Sequence, residues 1–184
     1  MNLKSGFWTY LLPGTISART YLKIDNARSE WMLHAEAEPF AVMGLVNGRP
    51  YPKAQLERAW KYLLDCHTHD AIAGCAPDSV TSDIEFRLRQ SRDLADVVTD
   101  RSLQHIVNGL FLKGAQDDDV HMVVFNPLPY PRSEAVQMEV AFPAARKAKG
   151  LRLTTWDGDE VDYQVISVKA DSFFVEDRKS TRLN

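Results

Sequence analysis

Long apolar runs are missing from this sequence. None approaches the roughly 20 residues that a helix needs to cross the hydrocarbon core of a bilayer, so no membrane partner is expected. Met1-Asn2-Leu3-Lys4-Ser5-Gly6 lacks the apolar core of a secretory leader, which makes a cytoplasmic setting the expectation. Cysteine is scarce, and Cys66 and Cys75 alone do not make a disulfide framework. Positive charge is not in excess either: 22 Lys and Arg stand against 25 Asp and Glu, a net charge of -3. The basic residues are scattered and not interleaved with aromatics, which argues against a nucleic-acid partner. What is present is ordinary for a globular chain. In 184 residues, 45% are hydrophobic and 26% charged, enough for one ordinary domain or two small ones.

Residues 1–14 are short, aromatic and turn-ended, with Phe7-Trp8-Thr9-Tyr10-Leu11-Leu12 running into Pro13-Gly14. Such a piece cannot bury its own apolar surface, and it reads as the remnant of something larger upstream. Helical patterns follow over residues 15–115. The first starts near Thr15 or Ser17, both good caps, and places Tyr21, Ile24, Ala27, Trp31 and Ala35 on one face. Pro39 is expected to kink or end it, because proline has no amide proton and crowds the preceding turn. After the Asn47-Gly48-Arg49-Pro50 breaker, a second helix carries Leu56, Ala59, Trp60, Leu63 and Leu64 at i, i+3, i+4, i+7 and i+8. A third opens around Pro77-Asp78-Ser79 and shares Val80, Ile84, Leu88, Ala95 and Val98 on a face widened by Leu94 and Val97. Run to Leu112, with Gly114 as its stop, it would be about 35 residues or roughly 50 Å long. Three helices on short turns predict a bundle.

The pattern changes after Gln116-Asp117-Asp118-Asp119, a solvated linker without the spaced Gly and Glu of a calcium loop. Val120 to Phe125 is β-rich, and Val136, Met138, Val140 and Phe142 alternate with Gln137, Glu139 and Ala141. Asp157-Gly158 between Leu151–Trp156 and Val161–Val165 is a hairpin signal, and Phe173-Phe174-Val175 reads as a further strand. The expected fold class is therefore α+β: a three-helix bundle followed by an incomplete antiparallel β-domain over 116–177. Residues 178–184 break the pattern and are set aside as a non-native tail.

Chemistry concentrates in Cys66-His67-Thr68-His69-Asp70-Ala71-Ile72-Ala73-Gly74-Cys75, where every imidazole, thiol and carboxylate can bind a divalent metal or move a proton. On one helix, His67 and His69 would point about 200° apart, so a shared ion requires an extended backbone between them. Taken by itself the cluster also fits a helix C-terminal cap, and the cysteines fit small buried hydrophobes.

His69-Asp70-Ala71-Ile72-Ala73-Gly74-Cys75, followed by Asp78-Ser79-Val80, Asp83-Ile84 and Arg87, resembles the His-Asp-x-Ile-x-Gly signature of glycoside hydrolase family 38 α-mannosidases in its bacterial form. Leu12-Pro13-Gly14-Thr15-Ile16-Ser17-Ala18-Arg19-Thr20-Tyr21-Leu22-Lys23 with Asn26-Ala27 resembles the opening of that family's middle helical domain. Ala37-Glu38-Pro39 and Leu56–Leu64 match later parts, and Phe125-Asn126-Pro127-Leu128-Pro129-Tyr130-Pro131-Arg132 is similar to the start of its C-terminal β-domain. The resemblance implies a retaining, metal-dependent hydrolase of terminal α-mannosides. In it, His69 ligates the catalytic metal, usually zinc, and Asp70 contacts sugar hydroxyls. It also implies that the nucleophile, the acid/base carboxylate and the remaining metal ligands belong to a catalytic domain upstream of Phe7. The chain alone would then be inactive and hold zinc weakly. Cys66-His67-Thr68 departs from what commonly precedes the signature, which leaves subfamily specificity open, and a mannosylglycerate hydrolase of the same family is the near alternative. Outside that class stand a non-catalytic helical and β interaction module, and a small helical metal-binding regulator using Cys66, His69 and Cys75.

Overall fold

The structure is a computed structural model that describes residues 12, 14–110, 119–142, 146, 148–169, 172–177 and 181–183. Most of the expected N-terminal remnant, the Gly114 stop and parts of the linker and tail lie outside these residues. The chain divides into two compact units, Met1–Leu110 and Phe111–Asn184. Among the described residues no helix is long and apolar enough to cross a membrane.

The first unit is helical. A single turn, α1 (Gly14–Ser17), precedes α2 (Thr20–Trp31), a π-helical stretch at Met32–Ala37 and α3 (Glu38–Val46). Helix continues past Pro39, against the expectation of a stop there. The reason lies one turn earlier. The Glu38 amide donates to Leu33 O, an i to i-5 bond, so the ladder is already shifted where proline brings no donor. Pro39 then occupies the first turn of α3, where a missing amide leaves no bond unmade.

The buried face of α2 also differs from the expected one. Leu22, Asn26 and Ser29 point inward and Leu33 continues the line, whereas Tyr21, Ile24 and Trp31 are exposed. Polar residues are tolerated inside because they are bonded. Asn26 Nδ2 donates to Glu30 Oε1 at 2.9 Å, and Ser29 Oγ donates to Asp25 O at 2.8 Å while accepting Arg92 Nη1 at 3.2 Å.

Helix α4 (Lys53–Asp65) buries Leu56, Ala59 and Leu63 as its spacing predicts, with Trp60 packed alongside and Leu64 turned outward. After the short α5 (His69–Ala73) comes α6 (Asp78–Asn108), 31 residues long, which begins after Pro77 as expected and ends at Gly109, before Gly114. Its buried residues Thr81, Ile84, Leu88, Ser91, Ala95, Val98 and Ser102 alternate spacings of three and four, the seam of a bundle helix. Small side chains on that seam let α4 approach closely, and Ser91 Oγ donates to Ala59 O at 3.0 Å across the gap. Between the long helices, Glu38 accepts from both the Tyr51 hydroxyl and Trp60 Nε1, the latter at 3.0 Å. The result is the expected bundle of three helical arms around one core.

The second unit is antiparallel β. Its strands are β1 (Arg132–Glu134), β2 (Gln137–Ala141), β3 (Tyr163–Lys169), β4 (Ser172–Asp177) and β5 (Thr181–Leu183). They form a sheet of order β2-β4-β3 and a β1-β5 pair. In β2 the predicted alternation holds: Met138 and Val140 turn in, Gln137 and Glu139 turn out. Val140, Phe173 and Val175 form the core, with Phe142 edge-on to Phe173 at 5.9 Å. The Asp157-Gly158 turn forms, with Gly158 at φ +92° and Thr155 N donating to Asp159 O at 2.8 Å. Its flanks pair only through the Thr154–Glu160 bridge, and the ladder of β3 is made with β4. Val120–Phe125 does not form a strand of either sheet, since β propensity alone does not build a ladder. Thr181–Leu183, inside the tail set aside from the fold, pairs with β1.

Candidate functional site

The His-rich corner is built by the way α4 ends. Cys66 caps α4 from inside the core, its thiol directed at Tyr62 O (3.2 Å) and Ile84 O (3.7 Å). Burial pushes that thiol up to about 11. His67 turns back onto α2, with Nε2 2.7 Å from Asn26 Oδ1 and 3.4 Å from Glu30 Oε1. At Thr68 the backbone becomes extended (φ -57°, ψ 138°), and helix resumes at His69. His69 therefore opens α5 with a side chain 93% exposed, while His67 is tied into the bundle. The two imidazoles do not converge.

Asp70 follows in the first turn of α5, where a carboxylate complements the free amides of a helix start. Its Oδ1 lies 3.3 Å from His69 Nε2 and accepts from the exposed Cys75 thiol at 3.4 Å. Imidazole, carboxylate and thiol thus share one open corner.

A second layer fixes the loop behind them. Gly74 ends α5 at φ +82°, and a Cβ there would sit 3.0 Å from Ala18 O. Next to Ala18, Arg19 adopts the left-handed conformation (φ 45°, ψ 52°), which costs a residue with a side chain about 1–2 kcal/mol. Its guanidinium donates to Gly74 O (3.1 Å), Ala76 O (3.2 Å) and Asp78 Oδ1 (2.7 Å). The hydrogen bond to Asp78 raises the Arg19 pKa further above its ordinary value. Lys23 Nζ donates to Ala18 O at 2.5 Å. Neither Arg19 nor the Asn26–Glu30 bracket on His67 is identified from sequence as part of the site, because, apart from the Asn26–Glu30 bond itself, their partners lie 37 to 59 residues away.

Among the described residues, no group of three or more His, Cys, Asp or Glu side chains comes together to hold a metal. The regulator built on Cys66, His69 and Cys75 is not supported: Cys66 is buried and bonded to Tyr62 and Ile84, while Cys75 is exposed beside Asp70. His69 is the open imidazole of this corner, with Asp70 Oδ1 3.3 Å from its Nε2.

A family profile for the α-mannosidase middle domain matches residues 10–106. A Halalkalibacterium halodurans protein, provisionally named a mannosylglycerate hydrolase, is 35% identical over 89 residues, which are 48% of this chain and 10% of that protein. An Enterococcus faecalis protein of glycosyl hydrolase family 38 superposes with a TM-score of 0.78 at 24% identity, over 92% of this chain and 23% of the other. An α-mannosidase from E. faecalis V583 gives 0.74 at 23% identity, over 93% of this chain and 22% of its own length. The two structures share the fold, and the chain spans only a small share of each relative. The profile covers more than half of the chain and is matched by the helical unit just described, so the chain belongs to the α-mannosidase middle-domain family.

Proposed function

We propose that this chain is part of a retaining hydrolase of terminal α-mannosyl bonds, to which α5 contributes His69 as a metal ligand and Asp70 as a sugar-binding carboxylate. The observation that carries the reading is the separation of roles at Thr68. His67 is bonded into the bundle, whereas His69 and Asp70 stand 3.3 Å apart with side chains 93% and 68% exposed.

A bound zinc ion would supply a template and Lewis acid for the hydroxyls beside the anomeric carbon. His69 offers it a ring nitrogen from a helix start that keeps the imidazole out of the core. Asp70 can accept a charge-assisted hydrogen bond from a sugar hydroxyl and so hold the ring in one orientation. Retention requires two carboxyl groups about 5–5.5 Å apart across the scissile bond. We place both of them, and the other metal donors, outside the described residues.

A second reading, hydrolysis of mannosylglycerate, is favoured by the name of the H. halodurans relative. It differs in requiring a cation for the glycerate carboxylate.

The test offers the 184-residue chain an aryl α-mannoside and mannosylglycerate, each with zinc. Neither is expected to turn over. Turnover abolished by His69→Ala would refute the division of labour. In a longer protein containing this sequence, His69→Ala is expected to lower kcat/KM by more than the roughly 10–100-fold that outer partners of metal ligands cost. Unchanged kcat/KM there would remove His69 from the site.

A further inference from the structure

We propose that Arg19 is the positioning residue of the His69–Asp70 corner: a left-handed arginine whose single guanidinium ties the end of α5 to the start of α6 and so sets where α5 points. The inference rests on the reading of His69 and Asp70 given above.

Helix α5 is five residues long, far below the length at which a helix is stable by itself. Its direction must come from its attachments. At its centre Ala71 is buried in the core, and at its end Gly74 rests against the Ala18 carbonyl. Beyond that, Gly74 O, Ala76 O and Asp78 Oδ1 all accept from Arg19. One side chain thereby spans the whole loop between α5 and α6. The backbone beneath it supports the same conclusion. Arg19 is the one non-glycine residue at positive φ among the described residues, and such a conformation persists only where surroundings hold it. Those surroundings are the loop that carries the functional corner.

Arg19 does not serve as the cation for a substrate carboxylate. Its guanidinium is occupied by Gly74 O, Ala76 O and Asp78 Oδ1 of the loop, with the Tyr21 side chain of α2 as a further partner, and its side chain is only 27% exposed. Lysine could not replace it, because an ammonium is a point charge while this fork reaches two carbonyls and a carboxylate at once. Loss of the fork releases α5 to pivot about Thr68, and His69 and Asp70 lose their common direction.

The experiment compares the isotopically labelled chain with Arg19→Lys and Arg19→Gly. The glycine variant relieves the left-handed backbone while deleting the guanidinium, so it keeps the fold. Amide exchange is followed at Ile72 and Gly74 in α5 and at Ala59 and Leu63 in α4, and zinc chloride is titrated against the His69 ring signals. In both variants, exchange at Ile72 and Gly74 should rise about tenfold or more, with Ala59 and Leu63 within about twofold of the parent. Zinc affinity read at His69 should fall about tenfold. Unchanged exchange in α5 would overturn the proposal, as would equal acceleration in α4, which marks a general stabiliser. Retained zinc affinity despite a loosened α5 would overturn it too. A parent His69 ring that ignores zinc defeats the metal reading, and exchange then decides the role of Arg19.

Discussion

Replacing Gly74 by alanine separates two penalties that the structure lets one count. The residue sits at φ +82°, where a Cβ adds about 1–2 kcal/mol of backbone strain. A stiffer unfolded chain returns about 0.4–1 kcal/mol. The new methyl would also meet Ala18 O at 3.0 Å, and that carbonyl cannot easily retreat, because it accepts Lys23 Nζ and adjoins the constrained Arg19. Overpacking of this kind costs about 1–3 kcal/mol, which brings the total to about 2–4 kcal/mol. Gly48 provides the control: its φ is +90°, yet an added Cβ would meet nothing within 4 Å. Gly48→Ala should therefore cost only about 1 kcal/mol. Urea melts followed at 222 nm report the helical unit. With a slope of about 2 kcal/mol per molar, Gly74→Ala should lower the midpoint by about 1–2 M and Gly48→Ala by about 0.5 M. Equal midpoints for the two variants would show that α5 does not rest on the Ala18 carbonyl, and the account of the corner would fail with it.

Two further outcomes follow from buried groups. In the native chain a disulfide reagent should react quickly with Cys75 and reach Cys66 only on unfolding, since Cys75 is exposed and burial pushes the Cys66 thiol up to about 11. Two thiols reacting at one rate would refute that placement. Tyr51 is pushed up from 10.0 to about 12, first by burial and then by its hydrogen bond to Glu38. Between about pH 10 and pH 12 the unfolded chain loses that proton first, so its contribution to stability falls as pH rises and is fully present below pH 10. Tyr51→Phe should flatten this part of the pH profile relative to the parent, as measured by urea midpoints.

Legibility varied with the range of the interactions involved. Leu56, Ala59 and Leu63 announce α4 because one turn of helix decides which side faces the core. Met138 and Val140 announce β2 for the same reason at period two. The inner face of α2 was hidden by Asn26 and Ser29, which read as surface residues until Glu30 and Arg92 are seen to satisfy them. Pro39 reads as a stop because the π-helical shift that accommodates it depends on the packing of Met32, Leu33 and Ala35. Val120–Phe125 reads as a strand on β propensity, which alone does not build a ladder. At the candidate site, His69 and Asp70 are visible as an adjacent pair within an ordered series of motifs. Arg19 is not, since nothing near it in sequence marks its acceptors 55 to 59 residues on.

The sequence by itself determined the α+β order, the helical spacings of α4 and α6, the alternation of β2 and the membership of the α-mannosidase middle-domain family. Each of these is written in residues that lie within a few turns or a short motif of one another. Only the tertiary structure decided which imidazole faces outward, which polar residues go inside, and how a five-residue helix is aimed. Those outcomes depend on hydrogen bonds between distant segments, and a buried or strained group is stable only once its far partner has arrived.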